Sequence, residues 1–366
     1  MRNACHIVGL IVLFSCGFAR AQTNTGGQNS GQAPTEAAAH FHLAKDLEAK
    51  GDLNGAIAEY REAVKLRPDD TVLHSSLGEA LSKKGEIDEC IAEFREAVRL
   101  APDKAATHVN LAIAFELKDD LDEAVVQLRL GIGLDPKDGN AHYHLAHDLA
   151  AQGHVNRATL EFLEALRLRP NDADIHNDFG NLLRSTGNLQ PAMAEYRSAI
   201  TAEPNNAKPH MNLGNLLSEL GKYPEAISEL REAIRLAPGA AKPHYNLGVV
   251  LFKSGDIQGD VDEQLEALRL LPKYALAHSE IAWIYATEKE VRNPEEALKH
   301  AQIAVALDQW KSPGIIETLA ESQFLNGMYQ EAVETERRAL ELEPDSADFK
   351  KNLKRYQDAL RKNRKS

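Results

Sequence analysis

Apolar residues recur at helical spacing in blocks of 34, most cleanly over 207–240. His210, Leu213, Leu217 and Leu220 fall at i, i+3, i+7 and i+10, one face of a helix. Gly221 interrupts the pattern, and Pro224 stands where the first turn of a second helix begins. Ala226, Ile227, Leu230, Ala233 and Ile234 then form another apolar stripe, which Pro238 brings to an end. Two such helices make an αα-hairpin with more apolar surface than one hairpin covers, so the unit has to stack on copies of itself.

The copies are present. Prolines stand at 68, 102, 136, 170, 204, 238 and 272, each 34 residues after the last. With the unit numbered 1–34 from Ala207, position 8 is small throughout: Ala44, Gly78, Ala112, Ala146, Gly180, Gly214, Gly248 and Ala282. Position 20 is usually alanine, as at Ala56, Ala124, Ala158, Ala192, Ala226 and Ala297. A glycine inside a helix costs about 1 kcal/mol relative to alanine, so it needs a packing reason. The expectation is that the two helices of a hairpin touch backbone to backbone at positions 8 and 20.

This pattern resembles the tetratricopeptide repeat: a large residue at 4, Leu-Gly at 7–8, then Ala 20, an aromatic at 24, Ala 27 and Pro 32. Repeat two supplies Leu77-Gly78, Leu81, Phe94, Ala97 and Pro102, and repeat five supplies Gly180, Ala192, Tyr196, Ala199 and Pro204. The resemblance implies an all-α fold, an α-solenoid superhelix of nine helix-turn-helix repeats over 37–346. The repeats run 37–70, 71–104, 105–138, 139–172, 173–206, 207–240, 241–274, 275–311 and 313–346. Repeat eight has three extra residues in its turn and Gln309 in place of proline, and Ser312 is one further insertion. In repeat seven Asp260 and Gln264 replace the small and aromatic residues, which reads as a loosely packed hairpin; a cation site there lacks the glycine and spacing of a calcium loop.

Residues 1–21 carry Arg2, an apolar run from Ile7 to about Ala19, and Ala19-Arg20-Ala21, the layout of a signal peptide and hence of a periplasmic or secreted protein. Leu13-Phe14-Ser15-Cys16 approximates a lipobox and offers lipid anchoring at Cys16 as a second reading. Residues 22–36 are polar and Gly-rich, a disordered spacer ending near a helix cap at Thr35. Cys90 is the one cysteine beyond the leader and occupies position 20, where a small buried thiol substitutes for alanine and a reactive cysteine is the alternative. At the other end, Phe349, Leu353, Tyr356 and Leu360 line one face of a capping helix over 347–366. From Lys350 on there are eight basic residues against Asp358 alone, which allows contact with an anionic surface. The chain as a whole carries −13, and its acidity argues against nucleic acid as a partner.

No catalytic motif stands out: there is no G-x-S-x-G, no phosphate-cradling glycine loop and no H-E-x-x-H. Leader, spacer, repeats and cap leave no segment for a catalytic domain, so no enzyme activity and no cofactor is expected. Position 4 is histidine in eight repeats: His40, His74, His108, His142, His176, His210, His244 and His278. These read as packing residues, and if buried and neutral they should loosen the array in acid as they charge. Neighbouring repeats lie roughly 8–10 Å apart, too far for two rings to share a metal. His144 and His147, at i, i+3, with Asp178 as a third ligand, form a weaker candidate metal site.

In the tetratricopeptide family the first helices line a concave groove, and positions 2, 5, 6, 9, 12 and 13 face a bound peptide. Here those positions carry Asn110, Asn177, Asn181, Asn212, Asn215 and Asn246. An asparagine donates and accepts at once, so a row of them suits an extended backbone of any sequence. The row is similar to the asparagine ladder of nucleocytoplasmic O-linked N-acetylglucosamine transferases, interrupted at position 6 by His42, Ser76, His144, Asp178 and Glu280. Asn177, Asn181, Asn212, Lys242 and Asn246 also resemble the carboxylate clamp of chaperone-binding members, with asparagine where that clamp has a lysine and an arginine. Lys208 and Arg184 add charge nearby, and Met211 and Tyr245 join Tyr143, Phe252 and Trp283 as apolar anchors. The implied function is a scaffold binding a protein or peptide segment. The alternatives are an accessory subunit of an envelope enzyme or assembly complex, and a histidine-dependent metal- or pH-responsive module.

Overall fold

The computed structural model describes residues 32–364, which form nineteen helices and no strand among the described residues. The leader read at 1–21, with Cys16, and the spacer as far as residue 31 lie outside them. The first helix begins at Gln32, ahead of the cap read at Thr35, so the last part of the spacer is helical. Pro34 falls in that first turn, where an N–H has no intrahelical acceptor to lose.

The chain divides into two compact units, one ending at Asp119 and the other beginning at Asp120. The first holds α1 (Gln32–Ala49), α2 (Leu53–Leu66), α3 (Thr71–Lys84), α4 (Ile87–Leu100) and α5 (Ala105–Leu117). The second opens with α6 (Leu121–Leu134), α7 (Gly139–Ala151), α8 (Val155–Leu168), α9 (Ala173–Ser185), α10 (Leu189–Ala202), α11 (Ala207–Glu219) and α12 (Tyr223–Leu236). It continues through α13 (Ala241–Ser254), α14 (Ile257–Leu270), α15 (Ala275–Thr287), α16 (Pro294–Asp308), α17 (Pro313–Leu325), α18 (Tyr329–Leu342) and α19 (Ala347–Asn363). Each unit is a stretch of α-solenoid in which consecutive helices pack on one another. The division follows the one turn of the regular repeats where Asp119, at φ 62°, takes the left-handed conformation that glycine supplies at 51, 85, 153, 187, 221 and 255.

Within a hairpin the position-8 glycines make room for a side chain more than for a backbone. A Cβ on Gly78 would stand 2.8 Å from the Phe94 ring, and one on Gly180 would stand 2.7 Å from the Tyr196 ring. Gly214 meets Leu230 at 2.7 Å and the Ala226 carbonyl at 3.2 Å, so backbone approach contributes there. Position 24 therefore reaches across the hairpin, and Tyr60, Phe162 and Tyr196 are among the largest fully buried side chains. In repeat seven the same place is polar but not loose. Asp260 and Gln264 are fully buried, Gln264 Nε2 donates to Asp260 Oδ1 at 2.9 Å and to the Tyr245 carbonyl at 3.2 Å, and burial pushes Asp260 up to about 6. Cys90 is fully buried too, and burial pushes its thiol up to about 12, so it is a packed thiol rather than a reactive thiolate.

The position-4 histidines are bridges. In His74 the Nδ1 lies 2.7 Å from Glu93 Oε2 on the second helix of its hairpin, and Nε2 lies 2.8 Å from the carbonyl of Pro68 in the preceding repeat. His142 repeats this with Glu161 and Pro136, and His176 with Glu195 and Pro170. His40, His210 and His244 pair with Glu59, Glu229 and Glu263, while His108 reaches the Pro102 carbonyl at 3.0 Å. Each ring joins its own hairpin, the repeat before it, or both, and in six repeats a glutamate stands ready to balance a charge on it.

One position-4 histidine meets a second histidine instead of a glutamate. In repeat eight the partner of His278 is His300 (Nδ1 to Nδ1, 2.8 Å), with His278 Nε2 3.1 Å from the Pro272 carbonyl. Burial first, then the neighbouring His278, lowers His300 to about 4, and burial lowers His278 as well. Glu296 lies 3.9 Å from His300 Nε2, too far for a close pair, and the Tyr285 ring stacks at its edge. Between pH 6.5 and 4 the unfolded chain binds protons that this folded pair refuses, so its contribution falls as pH falls. His300→Glu restores the arrangement of the other repeats. Relative to its own value near neutrality, the variant should lose about 2 kcal/mol less than wild type on acidification to pH about 4.5. Urea melts at both pH values read this, and parallel losses in the two proteins would contradict it.

Candidate peptide-binding face

In the second unit the first helices of successive hairpins touch each other, α7 with α9, α9 with α11, α11 with α13, and α15 with α17. Second helices make no comparable contacts, so the stack bends with the first helices on the inner side. Positions 5 and 6 of adjacent repeats meet along this side. Tyr143 donates to Asp178 Oδ2 at 2.6 Å, and Asn212 Nδ2 donates to Asn177 Oδ1 at 2.8 Å. Position 12 likewise meets position 13, through the Arg184–Glu219 ion pair. The first unit uses the same spacing in Lys83–Glu48 at 2.6 Å.

These contacts sort the candidate residues. Asn177 is buried and spent on Asn212 and Asp178. Asn181 is exposed, but it accepts from the Tyr196 hydroxyl at 2.8 Å. Arg184 is neutralised by Glu219 and supplies no free charge. Asn110 sits on α5 in the first unit, apart from the others.

What stays available lies on α11 and α13. Lys208 and Lys242 are exposed, and Asn215 is half-buried with no hydrogen bond among the described residues. Asn212 keeps its carbonyl oxygen free of the bond to Asn177. Asn246 Nδ2 is buried and has no acceptor. Met211 packs on the core that includes Leu213 and Leu247, and the Tyr245 ring meets that of Tyr274 at a tilt, with centroids 5.3 Å apart.

The candidate metal set does not assemble. Asp178, the intended third ligand of His144 and His147, is occupied by Tyr143, Asn177 and Asn181. Among the described residues no group of three or more His, Cys, Asp or Glu is placed to hold a metal ion. Two further carboxylates, one half-buried and one buried, stand out in the second unit. Glu280, at position 6, is pushed up to about 7 by burial and by Asp260. Glu336 fills position 24 of repeat nine, where an aromatic belongs, and is fully buried with neither carboxylate oxygen hydrogen-bonded.

A family model described as TPR repeat matches residues 46–85, 180–221 and 214–255, and one described as Tetratricopeptide repeat matches 76–138. The chain is built of tetratricopeptide repeats. Such arrays are protein–protein interaction scaffolds, and typically non-catalytic ones. The APC/C hetero-tetramer Cut9–Hcn1 shares the fold over 80% of this chain and 57% of its own, with a TM-score of 0.56 at 19% identity. Pseudomonas aeruginosa pilF does so over 58% of this chain and 96% of its own, with a TM-score of 0.52 at 17% identity. YrrB, a TPR protein with an unusual peptide-binding site, aligns over 50% of this chain and 95% of its own at 21% identity, with a TM-score of 0.43. No curated protein matches the chain in sequence.

Proposed function

We propose that this tetratricopeptide array is a non-catalytic scaffold that holds an extended polypeptide against α11 and α13. The observation that carries the reading is Asn246, whose buried Nδ2 has no acceptor among the described residues. A buried donor without a partner costs about 1–3 kcal/mol, and a backbone carbonyl of a bound segment would relieve it. Asn212 and Asn215 offer further amide groups on the same side, and Lys208 and Lys242 supply positive charge at its edge. Met211 and Tyr245 give it apolar surface for side chains of the ligand. The asparagine row is thus shorter than a ladder, and it favours the main chain of the ligand over any one side chain.

Asn246→Ala separates binding from stability. Removing the orphan donor should leave the melting temperature unchanged or slightly raised, because no bond is lost in the free chain. The same change should reduce capture of partners several-fold in a crosslinking pull-down. Equal recovery of every partner by wild type and an Asn212→Ala/Asn246→Ala variant would remove the reading. The expected setting is the cell envelope, following the leader read at 1–21. Mass spectrometry of the mature N-terminus tests this, with Gln22 expected first and a lipidated Cys16 as the competing result.

A further inference from the structure

The last helix presents a second surface that the proposed peptide face does not use. Lys351, Lys354, Arg355 and Lys362 stand at i, i+3, i+4 and i+11 along one side of α19, with Phe324 as an apolar wall and Asp358 as the single acid. Together they line a cleft of about 490 Å³. In the repeat register Lys354 occupies position 8, the site kept small wherever a second helix packs. At α19 the space beside position 8 is a cleft lined with cations.

The charge here is handled unlike charge in the repeats. There, Arg99, Arg167, Arg235 and Arg269 each pair with the glutamate three residues earlier. On α19, Arg355 pairs with Glu321 and lies 4.9 Å from the centre of the Phe324 ring, but Lys351, Lys354 and Lys362 have no carboxylate partner among the described residues. Three unpaired ammonium groups on a chain of net charge −13 form a local field of opposite sign.

We infer that this cleft docks an acidic segment of a partner protein. From Lys351 to Lys362 the helix rises about 16 Å, the span of roughly five extended residues. That is too long for a single phosphate and suited to several carboxylates in a row. A membrane fits less well, because the large apolar residues of α19 are already used. Phe349 and Tyr356 are buried, and Leu353 and Leu360 pack on the core beside α17 and α18, leaving no apolar face to insert into lipid.

The test measures fluorescence anisotropy of labelled decaglutamate with the full chain, beside decaglutamine and phosphatidylcholine–phosphatidylglycerol vesicles. Decaglutamate should bind at least about tenfold more tightly than decaglutamine, and that advantage should fall steeply as salt is raised to about 0.5 M. Lys351→Glu/Lys354→Glu/Lys362→Glu should raise Kd at least about tenfold, while the same three positions changed to arginine should retain binding. The glutamine triple variant, which adds no like-charge repulsion to the fold, should weaken binding similarly, and thermal melts confirm that each variant is folded. The loss of decaglutamate affinity caused by the triple changes should be the same whether or not Asn246→Ala is also present, which keeps this surface distinct from the face on α11 and α13. Unchanged affinity in the folded triple variants, absence of decaglutamate binding, or binding to vesicles without binding to the peptide would each overturn the inference.

Discussion

Replacing Glu336 with leucine is expected to stabilise the second unit by about 3 kcal/mol near pH 7. Glu336 occupies the place of the aromatic in its hairpin, fully buried, with no donor to either oxygen. Burial, with the neighbouring Glu317 and Glu321, pushes its carboxyl up to about 8, and Arg355 offsets only part of this. An acid whose folded pKa is raised contributes fully below its unfolded value of 4.5, and that contribution is lost as pH rises through about 8. Wild type should therefore become more stable on going from pH about 8.5 to about 5. Asp260 and Glu280 act in the same direction and the His278–His300 pair in the opposite one, so the comparison with Glu336→Leu is what isolates Glu336. Leucine nearly matches the glutamate in size and stands at this position in repeats three and six, as Leu128 and Leu230. Its advantage should be greatest at alkaline pH and shrink toward pH about 5. Urea titrations across that range check it, and a constant difference between the two proteins would show that the carboxylate is not the cause.

Removing the Tyr196 side chain should cost about 4 kcal/mol. The ring is fully buried, lies against Gly180, and belongs to a core that includes Met193, Leu213 and Leu217. Gly180 has no side chain to fill the hole left by alanine, and neighbouring helices are held by contacts on both sides, so collapse is limited. Tyr196→Phe keeps the ring and loses the hydroxyl's bond to Asn181 with its interaction with Arg184, a change of about 1 kcal/mol. The loss in Tyr196→Ala should be concentrated in repeats five and six, because a solenoid is stabilised hairpin by hairpin. Hydrogen exchange should show α9, α10 and α11 opening first. Uniform deprotection along the second unit would contradict a local effect.

The helices were legible because 34-residue periodicity, turn glycines and terminal prolines act within one stretch of chain. Their side-chain partners were not, because the pairings join residues 19 or 35 apart. Position 23 is glutamate in six repeats, each with a histidine at position 4, and that shared phase was the available signal for the His–Glu bridges. The same holds for Asn177 with Asn212 and Arg184 with Glu219, both at i, i+35. Counting asparagines along the first helices overstates the open face, since two of them bond to each other and a third to a tyrosine. The acidic substitutions at Asp260 and Glu336 break the pattern at buried positions. Sequence alone reads such breaks as weakness, whereas here the side chains are packed and their protonation carries the consequence.

Site-specific photocrosslinking from residue 215 tests the central reading most directly. A photoreactive residue in place of Asn215 stands on α11, and one in place of the exposed Leu163 on α8 serves as the reference. Residue 215 should yield a discrete set of crosslinked polypeptides that disappears when Asn246→Ala is introduced, and residue 163 should not yield that set. Identical products from both positions, or products at 215 that persist in the Asn246→Ala background, would contradict a polypeptide held on this face.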